Sequence, residues 1–307
     1  MPSTAIIVDS ACSLPRKICD KYDISFAPLT ANIDGTPMLD PCDESKALAL
    51  FASGKFEHKH KVFTKPPAAD AFGKLIIEKV KAGYEQIIIQ TVNRTQGDTY
   101  LNANTALATL QPKLKERSIS LRVMDSRTVF SGQGLMAIET IRRLRRNADY
   151  DQVRREMNAL SGHILTFIVP RSPLIAWERS KERNENNVSW TQALIANTLG
   201  IHPIIVNAND TSQRLDKIRK FDNAAEALFK HACRQIERGL KSPYITVSYA
   251  GLLSELNGLP GYNNLLHTAE AHKVKIIPSV ASLAAGIYTS VGSLSLSLAS
   301  NEMEWKG

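Results

Sequence analysis

The chain reads as an α/β protein of two domains, the first built on a mostly parallel sheet. Three observations predict this. Its 307 residues are about twice the roughly 150 that one domain takes, which leaves room for two cores. Short β-rich runs alternate with segments of helical period through the first half. Two of those runs end in the same pair, Asp9-Ser10 and Asp125-Ser126, at strand ends of the kind where open parallel sheets gather ligands.

Taken in order, Ala5 to Val8 is a compact apolar run and the first predicted strand. Phe72, Leu75, Ile76 and Val80 then recur on one helical face, and Ile87 to Thr91 is the next strand. Ala103, Ala106, Leu107 and Leu110 repeat the helical pattern before a strand at Leu121 to Met124. Leu135, Ile138, Ile141 and Leu144 repeat it again after Gly134. Strands separated by helices argue for a parallel sheet covered on both faces. A boundary between Tyr150 and Gly162 divides the chain into an N-terminal domain, 1–155, and a C-terminal α/β domain, 156–307. The second domain reads as strands at Ile164 to Val169, Ile204 to Val206, Tyr244 to Tyr249 and Val274 to Pro278. Helices are predicted around Trp190 to Leu199, Ala224 to Arg238 and Leu259 to His272. Tyr288 to Ala299 alternates small and apolar residues and is expected to close a sheet, and Glu302 to Gly307 to fray.

Composition excludes several classes. With 43% hydrophobic and 22% charged residues the chain is neither disordered nor fibrous. No apolar run approaches the roughly 18 residues of a membrane-spanning helix. The first residues lack a basic region and a cleavage site, so no secretory signal and a cytoplasmic location are expected. Cys12, Cys19, Cys42 and Cys233 have no CxxC or metal spacing and read as reduced thiols. The net charge is +8, and Arg142, Arg143, Arg145, Arg146, Arg154 and Arg155 crowd one stretch. That stripe is read as a solvated helix face. Without a zinc-finger, RNP or helix-turn-helix pattern, nucleic acid is not an expected partner.

Individual motifs add little chemistry. Gly132-Gln133-Gly134-Leu135-Met136-Ala137 fits G-x-G-x-x-A, but six residues separate it from the strand end at Asp125. A dinucleotide fingerprint needs its glycines in the tight strand-to-helix turn, so close helix packing is the better account. His58 and His60 have no carboxylate or thiolate pair nearby and read as a surface loop, so no metal is expected. No Walker A or G-x-S-x-G pattern occurs, and nothing composes a nucleophile, base and orienter. The residues alone thus predict a small-molecule site on a two-domain α/β protein.

An ordered set of landmarks along nearly the whole chain goes further. These are Asp9-Ser10-Ala11-Cys12-Ser13-Leu14-Pro15, Pro28-Leu29, Asp34-Gly35 and Thr64-Lys65-Pro66-Pro67, then the loop Asn93 to Tyr100 ending in Thr99-Tyr100. After them come Asp125-Ser126 with Gly132-Gln133-Gly134, Ile201-His202-Pro203, Lys217-Ile218-Arg219, and Gly286-Ile287-Tyr288-Thr289-Ser290-Val291-Gly292. Together they resemble the DegV family of bacterial fatty-acid-binding proteins.

The resemblance implies two α/β domains, an acyl chain in a tunnel of the second, and a carboxylate held near the junction. It implies a binding protein without turnover or cofactor, whose long-chain fatty acid is phosphorylated by a separate fatty-acid kinase. Family members hold the head group with a threonine, a loop serine and a late histidine. Here Thr64 is retained, Asn93-Arg94 replace the serine pair, and Tyr288, followed by Thr289, stands for the histidine. Thr64, Asn93, Arg94, Tyr288 and Thr289 are therefore the expected ligand-binding residues. Arg94 could pair with a carboxylate or face solvent as a loop cation, and Tyr288 could donate to it or be a packed aromatic. The family's Gly-Gly-Arg-Ile element is absent from Glu178 to Trp190. Arg179, Arg183, Lys217 and Arg219 are the expected partner-facing residues. Changed head-group residues also suit the alternative of a polar or phosphorylated small molecule, with or without catalysis.

Overall fold

The computed structural model describes residues 4–146, 148–182, 200–302 and 304–305. Arg183 and the helix predicted at Trp190 to Leu199 lie outside the described residues.

Strands β1 (Thr4–Asp9) and β2 (Ser25–Ala27), separated by helix α1 (Arg16–Lys21), begin the first sheet. A small antiparallel sheet follows, in the order β4 (Thr36–Leu39), β3 (Thr30–Ile33), β5 (Val62–Lys65), with α2 (Glu44–Ala52) between β4 and β5. Then come α3 (Ala69–Lys81), β6 (Gln86–Thr91), α4 (Thr99–Glu116) and β7 (Ser120–Asp125). The first sheet has the order β2-β1-β6-β7, parallel throughout. Ile7, Ile87 and Ile89 meet Phe72, Ile76, Ala103 and Ala106 of α3 and α4 on one face. Ile6 and Val8 face the other way, toward helix α5 (Ser131–Arg145). Burial on both faces is why these strands read as unbroken apolar runs.

The chain continues through α6 (Tyr150–Ser161), β8 (Ile164–Val169), α7 (Pro173–Glu182), β9 (Ile201–Ala208), β10 (Thr211–Arg219) and α8 (Phe221–Arg238). It ends with β11 (Tyr244–Tyr249), α9 (Leu253–Asn257), α10 (Tyr262–Ala271), β12 (Lys275–Val280), α11 (Leu283–Thr289) and β13 (Leu294–Ala299). The second sheet runs β10-β9-β8-β13-β11-β12, antiparallel except where β11 meets β12. Leu228, Phe229, Tyr262 and Leu265 of α8 and α10 cover one face. Helix α5 covers the other.

Helix α5 is therefore packed between the two sheets, with every residue from Ser131 to Ile141 buried. This explains the glycines. A Cβ at Gly132 would stand 2.2 Å from the hydroxyls of Thr128 and Thr166, and one at Gly134 only 2.3 Å from the Ser13 carbonyl. Close packing, as the sequence suggests, is their role.

Two expectations need correction. The segment from Tyr288 to Ala299 is not one strand, because Tyr288 and Thr289 end α11 and only Leu294–Ala299 joins the sheet. The C-terminal tail does not simply fray. Trp305 donates its indole N–H to Asp216 (3.0 Å) and packs on His231, with ring centroids 4.6 Å apart.

Candidate functional site

A cavity of about 220 Å³ opens where the carboxyl end of β6, the small sheet and α11 converge. Leu29, Val92, Val129, Phe130 and Ala284 give it an apolar wall, and Thr64, Thr95, Gln96, Thr99 and Tyr288 supply its polar atoms. Its place beyond the strand ends is the one that the parallel pattern predicts.

Thr64 and Tyr288 meet here from opposite ends of the chain. Register in the small sheet pairs Thr64 with Ala31 and aims the threonine at α11. Thr64 N–H donates to the Tyr288 hydroxyl at 2.9 Å, and the two hydroxyl groups lie 3.0 Å apart. Three features fix α11. Ser282 caps it by accepting from Ala285 N–H (3.2 Å), and Ser13 accepts from Ser282 N–H (3.0 Å). Gly286 lets it lie against Phe51, whose ring would stand 2.3 Å from a Cβ.

The loop after β6 departs from expectation. Asn93 is fully buried and its side-chain oxygen accepts from Thr95 N–H and Thr95 Oγ1, both at 2.8 Å. It shapes the turn that carries Thr95 and Gln96 into the cavity wall, and is itself outside the wall. Arg94 points away. Its guanidinium lies 3.4 Å from both Asp125 and Asp210, with the side chain 57% exposed, so it is no cavity cation. Thr289 is not a cavity donor either. Its hydroxyl donates to the Ala285 carbonyl (2.6 Å) and lies 2.5 Å from that of Ser293.

A family model described as an uncharacterised protein of the DegV family matches residues 3–301. The chain belongs to the DegV family. It is 26% identical over 302 residues to a DegV domain-containing protein of Xanthomonas axonopodis pv. citri, covering 96% of each chain. Its fold is similar to that of a DegV lipid-binding protein from Thermotoga maritima. That match has a TM-score of 0.77 at 18% identity, covering 98% of this chain and 100% of the other. A stearic acid-binding protein from Eubacterium ventriosum gives 0.77 at 17%, covering 96% and 97%. At such identities the likeness is one of fold.

Other residues of this DegV chain fall elsewhere than expected. Arg179 is 4% exposed and donates to the carbonyls of Phe56 (2.7 Å) and Ile287, tying α7 to α11. A buried brace cannot face a partner. Lys217 and Arg219 are exposed on β10, the edge strand of the second sheet. Among the described residues no group of three metal-ligating side chains occurs. No helix among them is long and apolar enough to cross a membrane.

The Asp9-Ser10 landmark is structural. Asp9 accepts from Val92 N–H (2.6 Å), Ala11 N–H (3.0 Å) and Gln133 Nε2 (3.1 Å), joining β1 to the loop behind the cavity and to α5. Burial outweighs these donors and pushes its pKa from the ordinary 3.8 to about 6. Ser10 accepts from Leu29 N–H (3.0 Å) and donates to Asp40 (2.8 Å), holding the strand that leads to the small sheet. Sequence reading found the Asp-Ser pair but missed the apolar wall, since Leu29, Val129 and Ala284 carry no signal beyond ordinary core residues.

Proposed function

We propose that this DegV protein binds a long-chain fatty acid with its carboxylate at Thr64 and Tyr288, and holds it for a partner without transforming it. The observation that carries this reading is the convergence of Thr64 N–H, Thr64 Oγ1 and the Tyr288 hydroxyl on one wall of a largely apolar cavity. Each buried methylene contributes about 0.8 kcal/mol, so a chain of about 16 carbons offers on the order of 10 kcal/mol before ordering costs. A carboxylate entering such a space needs convergent donors, or its desolvation cancels the gain. Here the donors satisfy one another, and an arriving carboxylate takes their place as acceptor. The cavity's 220 Å³ falls short of the roughly 300 Å³ where sites for drug-sized ligands begin, so the acyl tail enters by displacing side chains of the apolar wall. The Thermotoga maritima neighbour is a lipid-binding protein and the Eubacterium ventriosum neighbour a stearic acid-binding protein, which supports the same reading.

A separate fatty-acid kinase that phosphorylates the presented carboxylate suits this arrangement. Lys217 and Arg219, exposed on an edge strand of the second sheet, offer cations to an acidic partner surface. A kinase that draws on nucleotide suits a cytoplasmic location for the pair. The alternative of a polar or phosphorylated ligand in this cavity loses its main support, because Arg94 is turned to Asp125 and Asp210.

Mass spectrometry of an organic extract of the purified protein tests the proposal, beside a Thr64→Val/Tyr288→Phe variant. Stoichiometric fatty acid is expected in the wild type, with affinity at least tenfold weaker in the variant. A wild type that is empty and takes up no added fatty acid would overturn it.

A further inference from the structure

A second and larger cavity, of about 480 Å³, lies at the other end of α5 and has no part in the site above. Its floor is apolar, made by Ile18, Ile138, Ile141 and Ile277 from three different elements. Tyr22 and Tyr244 flank it. Around them stand five cations, Lys21, Arg142, Arg145, Arg146 and Lys275, and no carboxylate is among the lining residues described.

The arginine stripe of the sequence is thereby divided into two uses. Arg142 and Arg143 are drawn inward to the fully buried Glu139, with Arg142 Nη2 at 2.8 Å, so they are not a solvated face. Arg145 donates to the Tyr22 hydroxyl (3.1 Å), and Lys21 stands 5.6 Å from the Tyr22 ring. Lys21, Arg145, Arg146 and Lys275 have no carboxylate partner among the described residues. Lys21 and Arg145 end α1 and α5, where the negative end of a helix dipole favours cations. The dipole does not account for Lys275, which opens strand β12, nor for the lack of any acid in the wall.

We propose that this cavity binds an organic phosphate, a phosphate ester with an aromatic or apolar body. The isoleucine floor and the tyrosines would take the body, and the arginine and lysine heads the phosphate oxygens through charge-assisted hydrogen bonds. The volume lies within the range of small-molecule sites, roughly 300–1,000 Å³. Cations gathered without counter-charge raise the local potential for such an anion.

The test is calorimetric titration at low salt with two probes that share this chemistry, ATP and dihexanoyl phosphatidic acid, and with inorganic phosphate for comparison. At least one organic probe is expected to bind, at least tenfold more tightly than inorganic phosphate. Its affinity should fall at least tenfold in Arg146→Glu/Lys275→Glu, and which probe binds identifies the source of the phosphate. Both residues are exposed, and fatty-acid uptake by the variant reports that its fold is intact; Lys21→Ala/Arg145→Ala repeats the test independently. Failure of both probes to bind, binding undiminished in the two variants, or inorganic phosphate binding as well as either ester would each overturn the proposal.

Discussion

Two buried carboxylates, Asp9 and Glu139, lie on either side of the same contact layer and meet opposite fates. Asp9 is surrounded only by neutral donors, and burial wins, lifting its pKa to about 6. Burial also pushes Glu139 up, but hydrogen bonds from Arg142 and Ser242 (2.7 Å) and the charge of Arg143 outweigh it and hold the carboxyl below its ordinary 4.5. Three N–H groups do not replace the water around a charge, whereas two guanidinium groups do. The protein thus keeps its charged network at one end of α5 and neutral donors at the other, beside the candidate head-group site.

The comparison can be broken most directly at Glu139. Glu139→Ala strands Arg142 in a largely buried setting, leaves Arg143 with Glu156 alone, and should cost about 3 kcal/mol, read as a lowered urea midpoint at neutral pH. Similar in size is the pH dependence of Asp9. Its native pKa lies above the unfolded 3.8, so the native state binds more protons between the two values. Stability should therefore fall by about 3 kcal/mol as pH rises from about 4 to about 6, and then level off. Glu139 has the opposite sign, its contribution being present above the unfolded pKa and lost as pH falls through the lower native one. Urea titrations of wild type and Asp9→Asn across pH 4 to 7 check this, and the decline should vanish in the variant.

How much of this was legible in the sequence depends on what each residue touches. The strands around Ile7 and Ile88 and the helices against them were readable, because residues buried on both faces leave apolar runs and a helical stripe. The small sheet was not readable from periodicity. Its strands have four residues each, and β4 is mostly exposed. Thr64 and Tyr288 came through the family resemblance, since nothing local ties two residues 224 positions apart. Arg94 was ambiguous for the same reason, its two acidic neighbours lying 31 and 116 positions away.

A smaller effect sharpens the reading of the layer between the sheets. Gly134→Ala drives a methyl into the Ser13 carbonyl and should cost about 2 kcal/mol by thermal unfolding, with the Asp9 loop loosened on the same side. The smallest belongs to the exposed counterpart of Glu139. Arg94→Ala removes long contacts in a solvent-screened setting and should change stability by less than about 1 kcal/mol. Fatty-acid uptake by Arg94→Ala should match that of wild type; a large loss would return the guanidinium to the head-group site.

The closure of the cavity by α11 sets an order of events during synthesis. β1, β6, β7 and their covering helices are all encoded before residue 146, and that sheet can assemble while the rest of the chain is still being made. Tyr288 follows Thr64 out of the ribosome by 224 residues. A nascent or prematurely terminated chain therefore displays Thr64 without its partner and without the helix that walls the cavity. On the proposed reading, ligand loading requires a chain translated past Tyr288.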